Sequence, residues 1–179
     1  RCAPSLQLSQ GKDYESANIS AALKAGYAVL VSDYQGYTNG ATPTYLAGAS
    51  QGNAVLDIVR AAAQLDGAGV DTDPRVAIFG HSQGGHAALM ASELAATYAP
   101  ELEIVGTVAG APPGDLALIA SAFASASARG AAGGFGLMLD AGFLAAYPDL
   151  PIDAVADATA QPLLDQVGDT CSDEAFDLA

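Results

Sequence analysis

Tryptophan is absent from the 179 residues, and histidine, cysteine and methionine occur twice each. With cysteines only at positions 2 and 171 and histidines only at 81 and 86, there is no CxxC pair and no Cys/His cluster, so no metal site is expected. Basic residues are nearly as scarce. Six Lys+Arg stand against twenty Asp+Glu, for a formal charge of −14. Such a chain repels phosphate backbones, and no Lys/Arg stripe offsets this locally, so nucleic acid is excluded as a partner and adhesion to anionic membrane surfaces is disfavoured. Also missing is any run of about eighteen apolar residues free of charge. The nearest stretch, 130–139, is closed by Arg129 and Asp140, so no integral membrane association is expected.

What remains is a globular profile, 51% hydrophobic and 15% charged. A chain of this length buries about two-thirds of its unfolded surface, enough for one domain-sized core. It opens on Arg1-Cys2-Ala3-Pro4, without an initiator Met or a charged-then-apolar leader, as expected of a processed or cut chain. Cys2 and Cys171 lie at opposite ends. The residues alone leave two readings open, a long-range bridge formed in an oxidising compartment or two unrelated buried thiols.

The first 110 residues alternate between helical and strand-like segments, the pattern of a mostly parallel sheet flanked by helices. Ile19, Ala22 and Leu23 fall at helical spacing and stop at Gly26. Residues 27–31 read as a buried strand that feeds a loop beginning Ser32-Asp33-Tyr34-Gln35-Gly36, and 37–44 is loop-like. A second helix carries Ala54, Val55, Ile58, Val59 and Ala62 inward and Asp57 and Arg60 outward, ending at Asp66-Gly67. Asp71-Thr72-Asp73-Pro74 is turn chemistry. Residues 75–80 form a strand whose centre, Val76-Ala77-Ile78-Phe79, is wholly apolar, as expected for cover on both faces. Ala87, Ala91, Leu94, Ala95 and Tyr98 then mark a helix stopped by Pro100, and 104–109 is a further buried strand, completing a βαβ unit. Beyond Gly114 no strand pattern returns. From residue 130 onward there are nine acids and no Lys or Arg, which predicts a helical insertion with an acidic outer face.

Gly80-His81-Ser82-Gln83-Gly84 has the form G-x-S-x-G and sits between a strand and a helix with no residues to spare. That context predicts a nucleophile elbow. A serine raised on a one-residue turn needs strained dihedrals, and glycines at 80 and 84 remove side chains where strand and helix backbones pass closely. The Ser82 hydroxyl then stands beside a helix N-terminus suited to a developing oxyanion, with Gln83 supplying its backbone N–H. Serine also needs a base. On this fold the partners follow in the order Ser, Asp or Glu, His, and no histidine follows His86. His81 and His86 read as packing or hydrogen-bonding residues, and Asp115 as an acid without its histidine. The 179 residues therefore hold a nucleophile and lack the proton relay.

Four segments together resemble the secretory lipases of the Candida lipase A type, secreted α/β-hydrolases. They are Ser32-Asp33-Tyr34-Gln35-Gly36, Leu56-Asp57-Ile58-Val59-Arg60-Ala61-Ala62, Gly80-His81-Ser82-Gln83-Gly84-Gly85-His86-Ala87-Ala88 and Tyr98-Ala99-Pro100-Glu101-Leu102-Glu103-Ile104-Val105-Gly106. The resemblance implies an α/β class, a partial α/β-hydrolase fold with core residues 1–113 and a C-terminal helical cap, 114–179. It implies an extracellular enzyme that hydrolyses triacylglycerol or another carboxylic ester without cofactor, with a lipid or small ester as partner. It also implies a Cys2–Cys171 disulfide, an acid and a base beyond the cap, and a second oxyanion donor ahead of Arg1. Phe123, Phe135, Leu137, Met138, Leu139 and Phe143 would line an acyl tunnel or serve as core. Asp33 and Tyr34 would line the pocket mouth or act as a capping carboxylate and a packed phenol. Asn18-Ile19-Ser20 is a glycosylation sequon, meaningful only in a eukaryotic secretory route. Two other functions fit the same fold: a non-catalytic module that binds an apolar ligand, and a serine peptidase or acyltransferase.

Overall fold

The structure is a computed structural model that describes residues 2–12, 14–70, 75–123, 130–168 and 170–178. Its centre is a parallel pair, β1 (Arg75–His81) and β2 (Glu103–Gly110), linked by helix α4 (Gln83–Tyr98) in the expected βαβ unit. Helix α3 (Gly48–Ala63) lies along α4. The first core joins them through Leu56, Ile78, Ala88, Ala91, Ala95 and Ala99. The abundant alanine thus has a structural use, since small side chains along α4 let α3 and the strands approach its axis. Helix α2 (Ser16–Lys24) ends as expected, with Gly26 at a φ of 90°. The turn residues 71–74 lie outside the described residues, as does Arg129.

Three sequence expectations for the sheet are corrected, the first being that β2, expected as a buried strand over 104–109, keeps no residue fully buried. Residues 27–31 form no strand. No described segment pairs with them, and Tyr27 is 63% exposed; an apolar run becomes a strand only when a neighbour takes its backbone hydrogen bonds. β1 is also covered on one face only. Its burial alternates, Ile78 and Gly80 facing α4 while Phe79 is 55% exposed beside its partner Val108 at 60%. An apolar strand centre shows that both faces favour burial, but here only one finds a covering layer among the described residues.

The part of the chain after Gly114 contains helices and no strand among its described residues. After α5 (Leu116–Phe123) come α6 (Ala131–Ala146), a 3₁₀ turn (Ile152–Ala154), α7 (Gln161–Gly168) and α8 (Ser172–Leu178). Leu137, Ala141, Ala156, Leu164, Val167 and Ala175 form its core. α6 docks on the loop before α3 through Leu139, Tyr45 and Leu46. At Gly142 the approach is so close that a Cβ would lie 2.5 Å from the Tyr45 nitrogen. Phe123 stacks on Phe135 (6.4 Å between centroids), Phe135 meets Phe176 edge-on at 4.8 Å, and Phe143 and Met138 pack against the Tyr45 cluster. The packing role of these apolar side chains is therefore the one displayed. Asp149, Asp153, Asp157, Asp165, Asp173 and Asp177 are exposed, as an acidic outer face requires, whereas Asp140 is half-buried. A disulfide between Cys2 and Cys171 ties the start of α1 (Pro4–Ser9) to the α7–α8 junction.

Candidate active site

β1 ends at His81 and α4 begins at Gln83, so Ser82 alone makes the turn. Its φ of 54° and ψ of −116° place a non-glycine residue in a region that only over-determined backbone maintains. Two bonds hold it: the Ser82 N–H donates to the Gly110 carbonyl at 2.9 Å, and the His86 N–H donates to the Ser82 carbonyl at 3.0 Å. Gly80 is required sterically, because a Cβ there would overlap the Gly84 carbonyl. At Gly84 the expected crowding is absent; a Cβ would meet only the Tyr34 hydroxyl at 3.8 Å, an ordinary contact. Gly85 instead makes a second close approach, to the Gly110 carbonyl. The Ser82 side chain is exposed. As the first residue of α4, Gln83 has an N–H with no intrahelical acceptor.

The loop ahead of α3 wraps this turn. Tyr34 has a φ of 57° and Leu46 a φ of 55°. Burial pushes the Tyr34 phenol up to about 12, with the Tyr37 phenol adding to the shift, and it raises Tyr45 as well. The Tyr37 hydroxyl lies against the Gln83 carboxamide, which pulls back part of the rise that burial causes. That contact falls short of a well-formed hydrogen bond and leaves Gln83 Nε2 buried without one. Asp33 takes the capping role. Its carboxylate accepts from the Ser5 N–H at 2.7 Å and the Ser5 hydroxyl at 2.5 Å, holding the N-terminus of α1.

Neither histidine hydrogen-bonds Ser82 among the described contacts. His81 is exposed at the end of β1. His86 is buried one turn into α4, with Nδ1 3.3 Å from Gln51 Oε1 on α3, and burial lowers its pKa, which favours the neutral ring. Asp115 caps α5, its carboxylate accepting the Leu118 N–H at 2.9 Å. Tyr37, Tyr45 and Gln51 were not singled out by sequence, because isolated polar residues in a loop or on a helix carry no periodic signal. The described residues contain no cluster of three His, Cys, Asp or Glu able to hold a metal ion, and no helix long and apolar enough to cross a membrane.

Comparison with known proteins gives this geometry a family. A profile described as "Secretory lipase" matches residues 5–177. The chain belongs to the secretory lipase family. It is 33% identical over 177 residues to lipase A of Moesziomyces aphidis, covering 93% of this chain and 36% of that protein. It is also 42% identical over 100 residues to a Mycobacterium tuberculosis protein named "Probable inactive lipase", covering 55% of this chain and 21% of that one. Candida antarctica lipase A has a crystal structure that superposes with a TM-score of 0.69 at 32% identity, over 87% of this chain and 34% of that one. The chain thus spans about a third of the length of the lipase A relatives, and its fold is the corresponding part of an α/β-hydrolase.

Proposed function

We propose that this secretory-lipase chain is the nucleophile-bearing part of an extracellular carboxylic-ester hydrolase acting on triacylglycerol or related esters. The observation that carries the reading is Ser82, held at strained dihedrals between β1 and α4 with its side chain exposed. The Ser82 oxygen attacks the ester carbonyl, and the tetrahedral oxyanion forms beside the free Gln83 N–H and the positive end of α4. A base takes the serine proton and returns it to the leaving alcohol, after which water resolves the acyl-enzyme. That histidine and its carboxylate belong to sequence outside the 179 residues, since His81 and His86 are both otherwise placed. Secretion accords with the family and with the disulfide.

The second reading is a non-catalytic relative that keeps the elbow as scaffold. It is favoured by one observation, that no described residue hydrogen-bonds the Ser82 hydroxyl. A fluorophosphonate probe on the product of the full coding sequence separates the two. Covalent labelling that Ser82→Ala abolishes is expected of the hydrolase, whereas a folded protein that resists the probe is the binder. Faster turnover of peptides than of esters would move the assignment to a peptidase. The 179 residues alone are expected to turn over a nitrophenyl ester no faster than background.

A further inference from the structure

The roles proposed for Ser82 and Gln83 leave one polar group at the elbow unused. Tyr34 is turned into the left-handed region at a φ of 57°, where a bulky side chain gains nothing locally. Ser32 Oγ fixes the bend by accepting the Tyr34 N–H at 3.2 Å. The bend delivers the phenol across to the first turn of α4, where its oxygen lies 3.8 Å from the place a Cβ at Gly84 would occupy. The residue is half-buried, yet its hydroxyl has no hydrogen-bond partner among the described residues and is not one of the sealed, unpartnered polar atoms of the interior. Burial keeps it protonated, a donor throughout the pH range in which enzymatic ester hydrolysis is measured.

A half-buried phenol normally finds a partner within the protein. This one is brought by strained backbone to Gly84, two positions along the chain from Ser82, and left free. The second glycine of G-x-S-x-G gains a reason at the same time. No backbone clash forbids a side chain at 84, but a methyl group there would lie against the phenol oxygen and displace whatever approaches it.

We propose that the Tyr34 hydroxyl donates a hydrogen bond to the ester head group of the substrate at Ser82, and that position 84 is glycine so that this hydroxyl stays uncovered. The inference rests on the ester-hydrolase reading of Ser82 and adds a substrate-contacting residue to it.

The test uses the enzyme expressed from its full coding sequence, assayed with nitrophenyl butyrate and with a fluorophosphonate. Tyr34→Phe, which keeps the ring, is expected to lower kcat/KM about tenfold or more, the scale of one donor lost from an oxygen that gains charge. Its thermal midpoint should be unchanged, because the hydroxyl has no internal partner to lose. Gly84→Ala should act in the same direction, and the double variant should be no worse than Tyr34→Phe alone, since both remove one contact. A kcat/KM for Tyr34→Phe within about twofold of wild type overturns the proposal, as does a loss that tracks a lowered midpoint, the mark of a structural role. A wild-type enzyme that neither hydrolyses the ester nor labels at Ser82 is a different result, which removes the hydrolase reading and this inference with it.

Discussion

A methyl group added at position 80 has nowhere to go, because the Gly84 carbonyl fills the space and both backbones are pinned by the sheet and by the first turn of α4. Gly80→Ala is therefore expected to destabilise by about 3 kcal/mol, the upper range for overpacking. In contrast, Gly84→Ala should be near neutral in stability, and urea midpoints of the two variants check the asymmetry. Asp140 gives a second residue-level test. Burial raises its pKa from 3.8 to about 6 without a stabilising partner. The folded state then binds the proton more tightly than the unfolded one, so Asp140 lowers stability as pH rises from about 4 to 6, with the full penalty above that. A shift of this size corresponds to ~3 kcal/mol for a sealed group; solvent at a half-buried carboxylate reduces it to about 1–2 kcal/mol. Asp140→Asn should thus be more stable than wild type at pH 7.5 and no more stable at pH 4. Equal denaturation midpoints for the two proteins at pH 7.5 would contradict this.

At the scale of elements, the polar face of α3 does more than meet solvent. Arg60 donates to Glu101 at 2.6 Å, to Asp57 at 2.9 Å and to the Tyr98 carbonyl at 2.8 Å, and its guanidinium lies 5.0 Å from the Tyr98 ring centre. Tyr98 closes the ring of contacts by donating to Asp57 at 2.7 Å. The cluster fastens α3 to the end of α4 and the turn into β2, the frame on which Ser82 is presented. The planar fork of arginine holds three acceptors spread around its edge in fixed geometry, which the single compact nitrogen of an ammonium does not span. Arg60→Lys should therefore lower the thermal midpoint although the charge is kept, whereas a lysine variant melting with wild type would show the cluster to be ornamental. Sequence placed Arg60 correctly on the outer face of its helix. What lies opposite that face depends on how two helices and a turn are stacked, which no periodicity reports.

For the molecule as a whole, the accessible surface of 10122 Å² exceeds by about a quarter the ~8000 Å² usual for a compact monomer of 17.8 kDa. Part of the surplus is apolar, with Phe79 and Val108 open on the uncovered sheet face and Tyr27, Leu30 and Val31 exposed within the unpaired run 27–31. The Cys2–Cys171 bridge spans 169 positions and restricts the whole unfolded chain. Replacing both cysteines with serine is expected to cost about 2–4 kcal/mol and to lower the melting temperature by about 5–15 °C. Calorimetry with and without reductant provides the check, and identical melting curves would show that the bridge contributes nothing.

Local sequence was enough to specify the tight turn at Ser82, the helices around it and the helical character of the C-terminal part, because these rest on short-range rules: glycine where backbones cross, 3.6-residue periodicity, and proline or glycine at helix ends. It also showed that no histidine follows His86 in the 179 residues. That 27–31 stays unpaired and one face of β1 is bare among the described residues emerges from packing, since strand formation and burial depend on neighbours brought from elsewhere in the chain. Likewise, Asp33 became a cap for α1 and Tyr34 a free phenol beside Gly84 through contacts between segments tens of residues apart. Long-range proximity is a property of packing, and local pattern does not encode it.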